Sequence, residues 1–439
     1  MQKHLFLTVL LLILCLSSRV AQAQEPPQPP QQSNEPAKIE VGAQFSSLNS
    51  GVKVFPGLFS SDVPTSDTAF GGRFGINLTR HVAFEAEVNF FPHERGPAFN
   101  SGGQLLQAQF GPKIGKRFGK FGFFGKARPG FLSFSAVQTT VGVIDHGFDR
   151  FPILETRRRN FFSLDVGGVV EFYPTKRVLA RFDIGDTIVH QGEDPQVSRF
   201  PRSWSRFAHR FQFSSGIAFR FLNPESTDDT AAYTPQPQRK IEVGGQFSSL
   251  GLRLFAYGVA FDETPLRPFV FDVDPQPGFG GRFAYNFTPN IAAEVQTDFY
   301  PKRLFSPDGT ASGRILQVQA GVKIGKRFEK FGVFGKVRPG AVSFSETFIF
   351  DDFGPPPTFF PFDAHIGRTT YLSIDAGGVL ELYPSPRVVV RFDAGDTMIR
   401  YGGNKLPFAI IQPLPRPVPV AAYQFLHHFQ FSSGVGFRF

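Results

Sequence analysis

Period-two alternation along nearly the whole chain, a long internal duplication, and connections that alternate long and short predict an all-β fold. Together they specify a transmembrane antiparallel up-and-down architecture of two tandem eight-stranded barrels, with one sixteen-stranded barrel as the alternative. The composition fits that prediction in an unusual way. Of 439 residues, 56 are Phe against 9 Tyr and 1 Trp, and 45 are Gly. The mean hydropathy of −0.11 excludes a multi-helix membrane protein. So much Phe excludes disorder throughout.

Taken in order, residues 1–23 read as a secretory signal. Lys3 supplies a basic start, Leu5 to Leu16 form an apolar stretch too short to span a bilayer, and Ala21-Gln22-Ala23 is a small-residue cleavage pattern. The mature start is expected at Gln24. The single Cys, Cys15, lies within that signal and follows Leu14, which argues against lipid attachment. A mature chain without Cys excludes disulfides, thiolate metal sites and Cys nucleophiles. Loss of Lys3 and Arg19 takes two from the formal charge of +9 and leaves +7, which is no nucleic-acid footprint. Residues 24–37 are a Pro/Gln-rich spacer.

The duplication then organises everything else. KIEVGAQFSSL at 38–48 returns as KIEVGGQFSSL at 240–250, and KIGKRFGKFGFFGKARPG at 113–130 returns as KIGKRFEKFGVFGKVRPG at 323–340. RFDIGDT at 181–187 returns as RFDAGDT at 391–397, and HRFQFSSGIAFRF at 209–221 as HHFQFSSGVGFRF at 427–439. Residues 38–221 and 240–439 are therefore two copies of one module, joined by a polar linker at 222–239.

Within the first module, alternation marks strands at about 38–48, 69–79, 82–92, 103–118, 120–135, 159–174, 178–190 and 207–221. Long connections, such as 136–158, follow every odd strand, and tight turns follow the even ones. One face of each strand is apolar. The other carries full charges, and a soluble β-domain would bury the first and wet the second. Here the charged set reads as a barrel interior. In the first module it is Glu40, Arg73, Glu85, Glu87, Lys113, Arg117, Lys126, Arg128, Asp165, Glu171, Arg181, Asp183 and Arg220. In the second it is Glu242, Arg282, Glu294, Asp298, Lys323, Arg327, Lys336, Arg338, Asp375, Glu381, Arg391, Asp393 and Arg438. The signs nearly balance at matching positions, which suggests a paired salt-bridge network with lipid outside. Glycines at 42, 75, 111, 115, 167, 185 and 216 alternate with these long side chains, as a narrow filled interior requires.

Catalytic and metal sites are not expected, and neither is a cofactor. His81, His93, His146 and His190 have no counterpart in the second module. His209 and His427 do correspond, but they fall on the lipid-side face near the outer rim with no repeated Ser-His-carboxylate trio. Arg157, Arg158 and Arg159 form a basic cluster in the long connection and are candidate contacts for lipopolysaccharide phosphates. Tyr173 and Tyr383, just before short turns, are candidate membrane-interface anchors.

Strand pattern, loop asymmetry and the closing segment with Phe429, Phe431, Phe437 and Phe439 give each module a resemblance to the small outer-membrane β-barrel family of the OmpA/OmpX type, duplicated in tandem. The resemblance implies a Gram-negative outer-membrane location. It also implies outer-membrane lipid, lipopolysaccharide and the outer-membrane assembly machinery as partners, with the closing Phe residues as the assembly signal. The function so implied is a structural or surface-interaction role without enzymatic activity. A passive diffusion porin is the first alternative and a lipid-modifying outer-membrane enzyme the second.

Overall fold

The computed structural model describes residues 38–49, 52–53, 62–63, 66–95, 102–145, 150–191, 206–221, 239–257, 268–304, 313–350, 364–403, 405–406 and 421–439. The signal, the spacer and nearly all of the joint lie outside these residues. What is described is almost entirely strand.

The first module forms eight antiparallel strands: β1 (Ile39–Asn49), β2 (Ser66–Asn77), β3 (Val82–Arg95), β4 (Gly103–Phe118), β5 (Phe121–Asp145), β6 (Arg150–Phe172), β7 (Val178–Gln191) and β8 (Arg206–Phe221). Each pairs with its sequence neighbours, and β1 pairs with β8, from Ile39 opposite Phe221 to Leu48 opposite Gln212. That closing pair lies wholly within one module, so each copy is its own barrel and the sixteen-stranded alternative falls. The second module repeats the ring with β9 (Ile241–Tyr257), β10 (Pro268–Asn286), β11 (Ile291–Leu304), β12 (Gly313–Arg327), β13 (Phe331–Phe350), β14 (Ala364–Ser385), β15 (Val388–Gly403) and β16 (Ala421–Arg438). It closes through β9 and β16, with Glu242 opposite Arg438. Closure pairs every strand edge, which a bilayer demands because it offers backbone groups no water.

Short turns gather at one end. Thr79 and Thr288 make two of them with their side chains: the amide of Val82 donates to Oγ1 of Thr79 at 3.0 Å and that of Ile291 to Oγ1 of Thr288 at 3.0 Å. Between β4 and β5, Gly119 takes φ 57°, which lets Phe118 and Phe121 pair directly.

The opposite end differs from the sequence expectation. The connection read at 136–158 is largely strand: β5 and β6 run on past the barrel wall as a hairpin, with Asp145 opposite Arg150. Register shifts near Val137 and Gly142 interrupt the ladder. Such bulges break the strict alternation by which the sequence marks a strand.

The outer wall is an apolar belt. Phe70, Phe84, Phe110, Phe123, Phe162, Phe219 and their neighbours stand exposed on it, as do Phe279, Phe283, Val295, Val322 and Val337 on the second barrel. Not every Phe lies there. Phe91, Phe134, Phe161 and Phe344 are buried inside the barrels, and Phe45 and Phe172 are outward but covered by the other barrel.

Candidate functional site

The interiors are the chemically dense part of the molecule, and inward side chains stack there in layers. At the short-turn end, Glu40 accepts from Nδ2 of Asn77 at 3.0 Å, and Arg117 donates to Oδ1 of Asn77 at 2.6 Å. Tyr173 donates to Oε2 of Glu171 at 2.6 Å while accepting from Nε of Arg117 at 3.2 Å. The Arg220 guanidinium lies over the Tyr173 ring at 4.9 Å. The second barrel repeats this floor: Arg327 donates to Tyr383 at 3.0 Å, Tyr383 to Glu381 at 2.8 Å, and Arg282 reaches Glu242 at 3.0 Å. Arg438 covers the Tyr383 ring at 4.3 Å.

Tyr173 and Tyr383 are therefore not membrane-interface anchors; both are buried. The reason is parity. Each ring sits two residues after an inward glutamate and so shares its side of the sheet.

Above the floor, Lys113 stands among three carboxylates, 2.5 Å from Glu171, 2.8 Å from Glu85 and 3.7 Å from Glu40. Those three acids have oxygens within 4.8 Å of one another, close enough to hold a metal ion. The ammonium of Lys113 already supplies the positive charge at their centre. Arg181 bridges Glu85 at 2.5 Å and Asp183 at 2.7 Å. Lys126 meets Asp165 at 2.6 Å and also Asp183. Arg128 spans Glu87 and Asp165, both at 2.6 Å. Arg73 is buried beside them and donates to Gln44 at 3.4 Å.

In the second barrel Lys323 meets Glu381 and, at 3.5 Å, Glu294, while Arg391 joins Glu294 to Asp393 at 2.8 Å. Lys336 joins Asp375 at 2.6 Å to Asp393, and Arg338 meets Asp375 at 2.5 Å. Each charged residue expected inside is on the inward side. Arg117, Arg220 and Arg327 keep partial exposure at the floor.

Two further layers went unread in the sequence. The first is a ring of amides and hydroxyls. Gln44 donates to Asn89 at 2.9 Å, Asn89 to Gln107 at 2.9 Å and Gln107 to Gln212 at 2.8 Å. In the second barrel Gln246 donates to Asp298 at 2.8 Å, Tyr300 to Gln317 at 2.8 Å and Gln317 to Gln430 at 3.0 Å. This layer is where the modules diverge. Glu87 and Asn89 become Gln296 and Asp298, so the acid moves two residues along the same face. Arg128 faces a carboxylate there, and Arg338 faces the Gln296 amide.

The second is an apolar plug at the long-loop end. In the first barrel it comprises Leu48, Phe91, Leu105, Leu132, Phe134, Phe161 and neighbours. In the second it includes Leu250, Leu254, Ile315, Phe344, Tyr371 and Tyr401. The sequence signal was available: an apolar residue on the charged face near the outer end of most strands.

Glycine lets the backbones of neighbouring strands approach closely at specific points. A Cβ on Gly111 would lie 2.2 Å from the Ala127 carbonyl oxygen, and one on Gly167 2.1 Å from that of Ile184.

The remaining expected residues are outside. Phe429, Phe437 and Phe439 are exposed on the wall, and Phe431 packs towards the first barrel. Arg157, Arg158 and Arg159 lie on β6 rather than in a loop, the first two on the part of the hairpin beyond the wall and Arg159 at its rim opposite Phe134. Arg157 contacts Glu155 at 2.5 Å, both exposed, and that hydrogen bond holds the Glu155 carboxyl below its ordinary value. Arg159 covers the Phe161 ring at 5.4 Å. His209, 68% exposed, meets Asp186 at 2.6 Å, and His427 meets Asp396 at 2.5 Å. The Asp–His pair is thus repeated in the two barrels, although no full trio is. No hydroxyl is hydrogen-bonded to either His among the described residues.

No family model matches this chain, and no curated protein matches it. Solved structures do. Ail of Yersinia pestis, in complex with the heparin analogue sucrose octasulfate, is similar at 12% identity with a TM-score of 0.26, over 46% of this chain and 99% of that one. The N-terminal beta-barrel domain of Pseudomonas aeruginosa OprF is similar at 12% identity with a TM-score of 0.22, over 46% and 100%. A bacterial polysaccharide outer membrane secretin is similar at 9% identity with a TM-score of 0.33, over 92% and 99%.

Proposed function

We propose that this chain is an integral protein of the bacterial outer membrane, with a structural or surface-interaction role and no enzymatic activity. Each barrel is closed to solutes, and its interior charges hold the wall together rather than forming an ion path. The observation that carries this reading is the apolar plug stacked on the amide ring and the charged lattice, all buried. A diffusion porin needs a water path, and eight strands leave an interior that side chains fill. Outer-membrane lipid and lipopolysaccharide are the proposed surroundings, with the assembly machinery acting on the Phe-rich closing strands.

Purified protein in planar bilayers tests the role. Silence is the expected result at concentrations where a control porin conducts. Stable nanosiemens-scale steps would overturn the closed-barrel reading in favour of the porin.

A further inference from the structure

The two barrels touch through a reciprocal set of aromatic contacts. Phe45 of β1 stacks on Phe431 of β16 at 4.0 Å between ring centroids, and Phe213 of β8 stacks on Phe247 of β9, also at 4.0 Å. By sequence Phe45 corresponds to Phe247, and Phe213 to Phe431. The two contacts are therefore the same contact with the modules exchanged. Phe182 of β7 faces Phe392 of β15 at 6.1 Å with the planes 3° apart, and these two residues are each other's equivalents. The cluster around them repeats the pattern: Phe172 with Leu382, Ala180 with Val390, Val170 with Leu380, and Ile217 with Val435 are equivalent pairs that share one apolar core.

A residue that meets its own counterpart sits on a two-fold axis, and exchanged pairs flank one. The contact climbs the wall along that axis. It lies at β7 and β15 near the short-turn end and at β1, β8, β9 and β16 at mid-height. Near the long-loop end β2 approaches β10, and Phe70 of β2 meets Phe429 of β16 at 6.1 Å between centroids. Strands tilted to a barrel's axis produce this shift, because a vertical line up the wall crosses from strand to strand. The axis therefore runs along both barrels, the one direction that lets two similarly oriented barrels share a bilayer.

We propose that the β7–β8–β1–β2 wall is a self-complementary docking face whose partner is a second copy of the same module. The chain is then a covalently joined isologous dimer whose pairing does not depend on the 222–239 joint. An apolar wall in lipid gains little from burial alone, so specificity must come from shape and ring stacking. These contacts supply both.

The absence of Cys from 24–439 makes the test direct. Full-length protein carrying a protease site in the joint is prepared with Phe45→Cys plus Phe431→Cys, or with Phe213→Cys plus Phe247→Cys. A control carries Phe110→Cys plus Val322→Cys, on exposed wall away from the contact. Heat-modifiable migration verifies folding of each. After oxidation in membranes and cleavage of the joint, both test pairs should leave the halves covalently joined on denaturing gels, and the control should release them. Without oxidation, the cleaved halves of the parent should still co-purify, and Phe182→Ala with Phe392→Ala should shift them towards separate barrels. Cross-linking by only one of the two exchanged pairs, or by neither, would overturn the proposal, as would bands of two-chain size before cleavage. Free separation of the cleaved parent would overturn it as well.

Discussion

Arg181 shows what one buried charge does here. Its side chain has no exposure, and it is the bridge between Glu85 and Asp183. Removing one member of a buried pair leaves the other uncompensated in a low-dielectric interior, at a cost of about 3–5 kcal/mol. Arg181→Ala should therefore lower resistance to urea by roughly that amount, read by loss of heat-modifiable migration, with the bilayer record still silent. Intact stability together with new conductance would instead show that the lattice lines a path. Arg391→Ala, its equivalent, should behave alike. At the exposed end of β6 the expectation is different. Arg157 and Arg158 stand exposed beyond the wall in high dielectric, so replacing them with Ser should leave stability within the scatter of surface changes. The same change should weaken lipopolysaccharide binding, and unchanged binding would remove these residues as the contact.

Strands are where sequence and structure agree best and where the disagreements have visible causes. Alternation located the eight strands of the first barrel, because an inward charge followed by an outward apolar residue fixes the face, as with Asp165 and Val166 or Lys113 and Ile114. It lost the outer half of the β5–β6 hairpin, where bulges at Val137 and Gly142 shift the phase. It also lost the plug, because an inward Phe134 and an outward Phe131 are the same letter and only position along the strand separates them. The amide ring was missed because Gln and Asn suit either solvent or interior. The Gly167-Gly168 step tests strand geometry directly. A methyl on Gly167 would press on the Ile184 carbonyl, whereas one on Gly168 meets nothing within 4 Å. Gly167→Ala should destabilise the barrel by about 1–3 kcal/mol through overpacking. Gly168→Ala should be neutral or slightly stabilising, since it only restricts the unfolded chain. Equal effects in urea titration would refute this account of the interior.

As a whole the molecule is one design made twice, with its differences confined to particular layers. The β4–β5 hairpin places Lys113, Arg117, Lys126 and Arg128 where β12–β13 places Lys323, Arg327, Lys336 and Arg338. The β3 and β11 strands do not match, because the acid sits at Glu87 in one and Asp298 in the other. A gene that encodes two such similar stretches is open to recombination between them, and the interiors dictate which exchanges leave no mark. Replacing residues 120–130 with the sequence of 330–340, which leaves Gly119 in its turn and changes only the outward Phe123 and Ala127 to Val, should yield a barrel of parental stability in urea. Replacing β3 with β11 alone should not, because Arg128 then keeps Asp165 but loses Glu87, and an acid enters the amide ring. The layer holding Glu87 and Asn89 is thus a barrier to homogenisation: it lets most of the two copies be rewritten from one another while keeping that layer distinct.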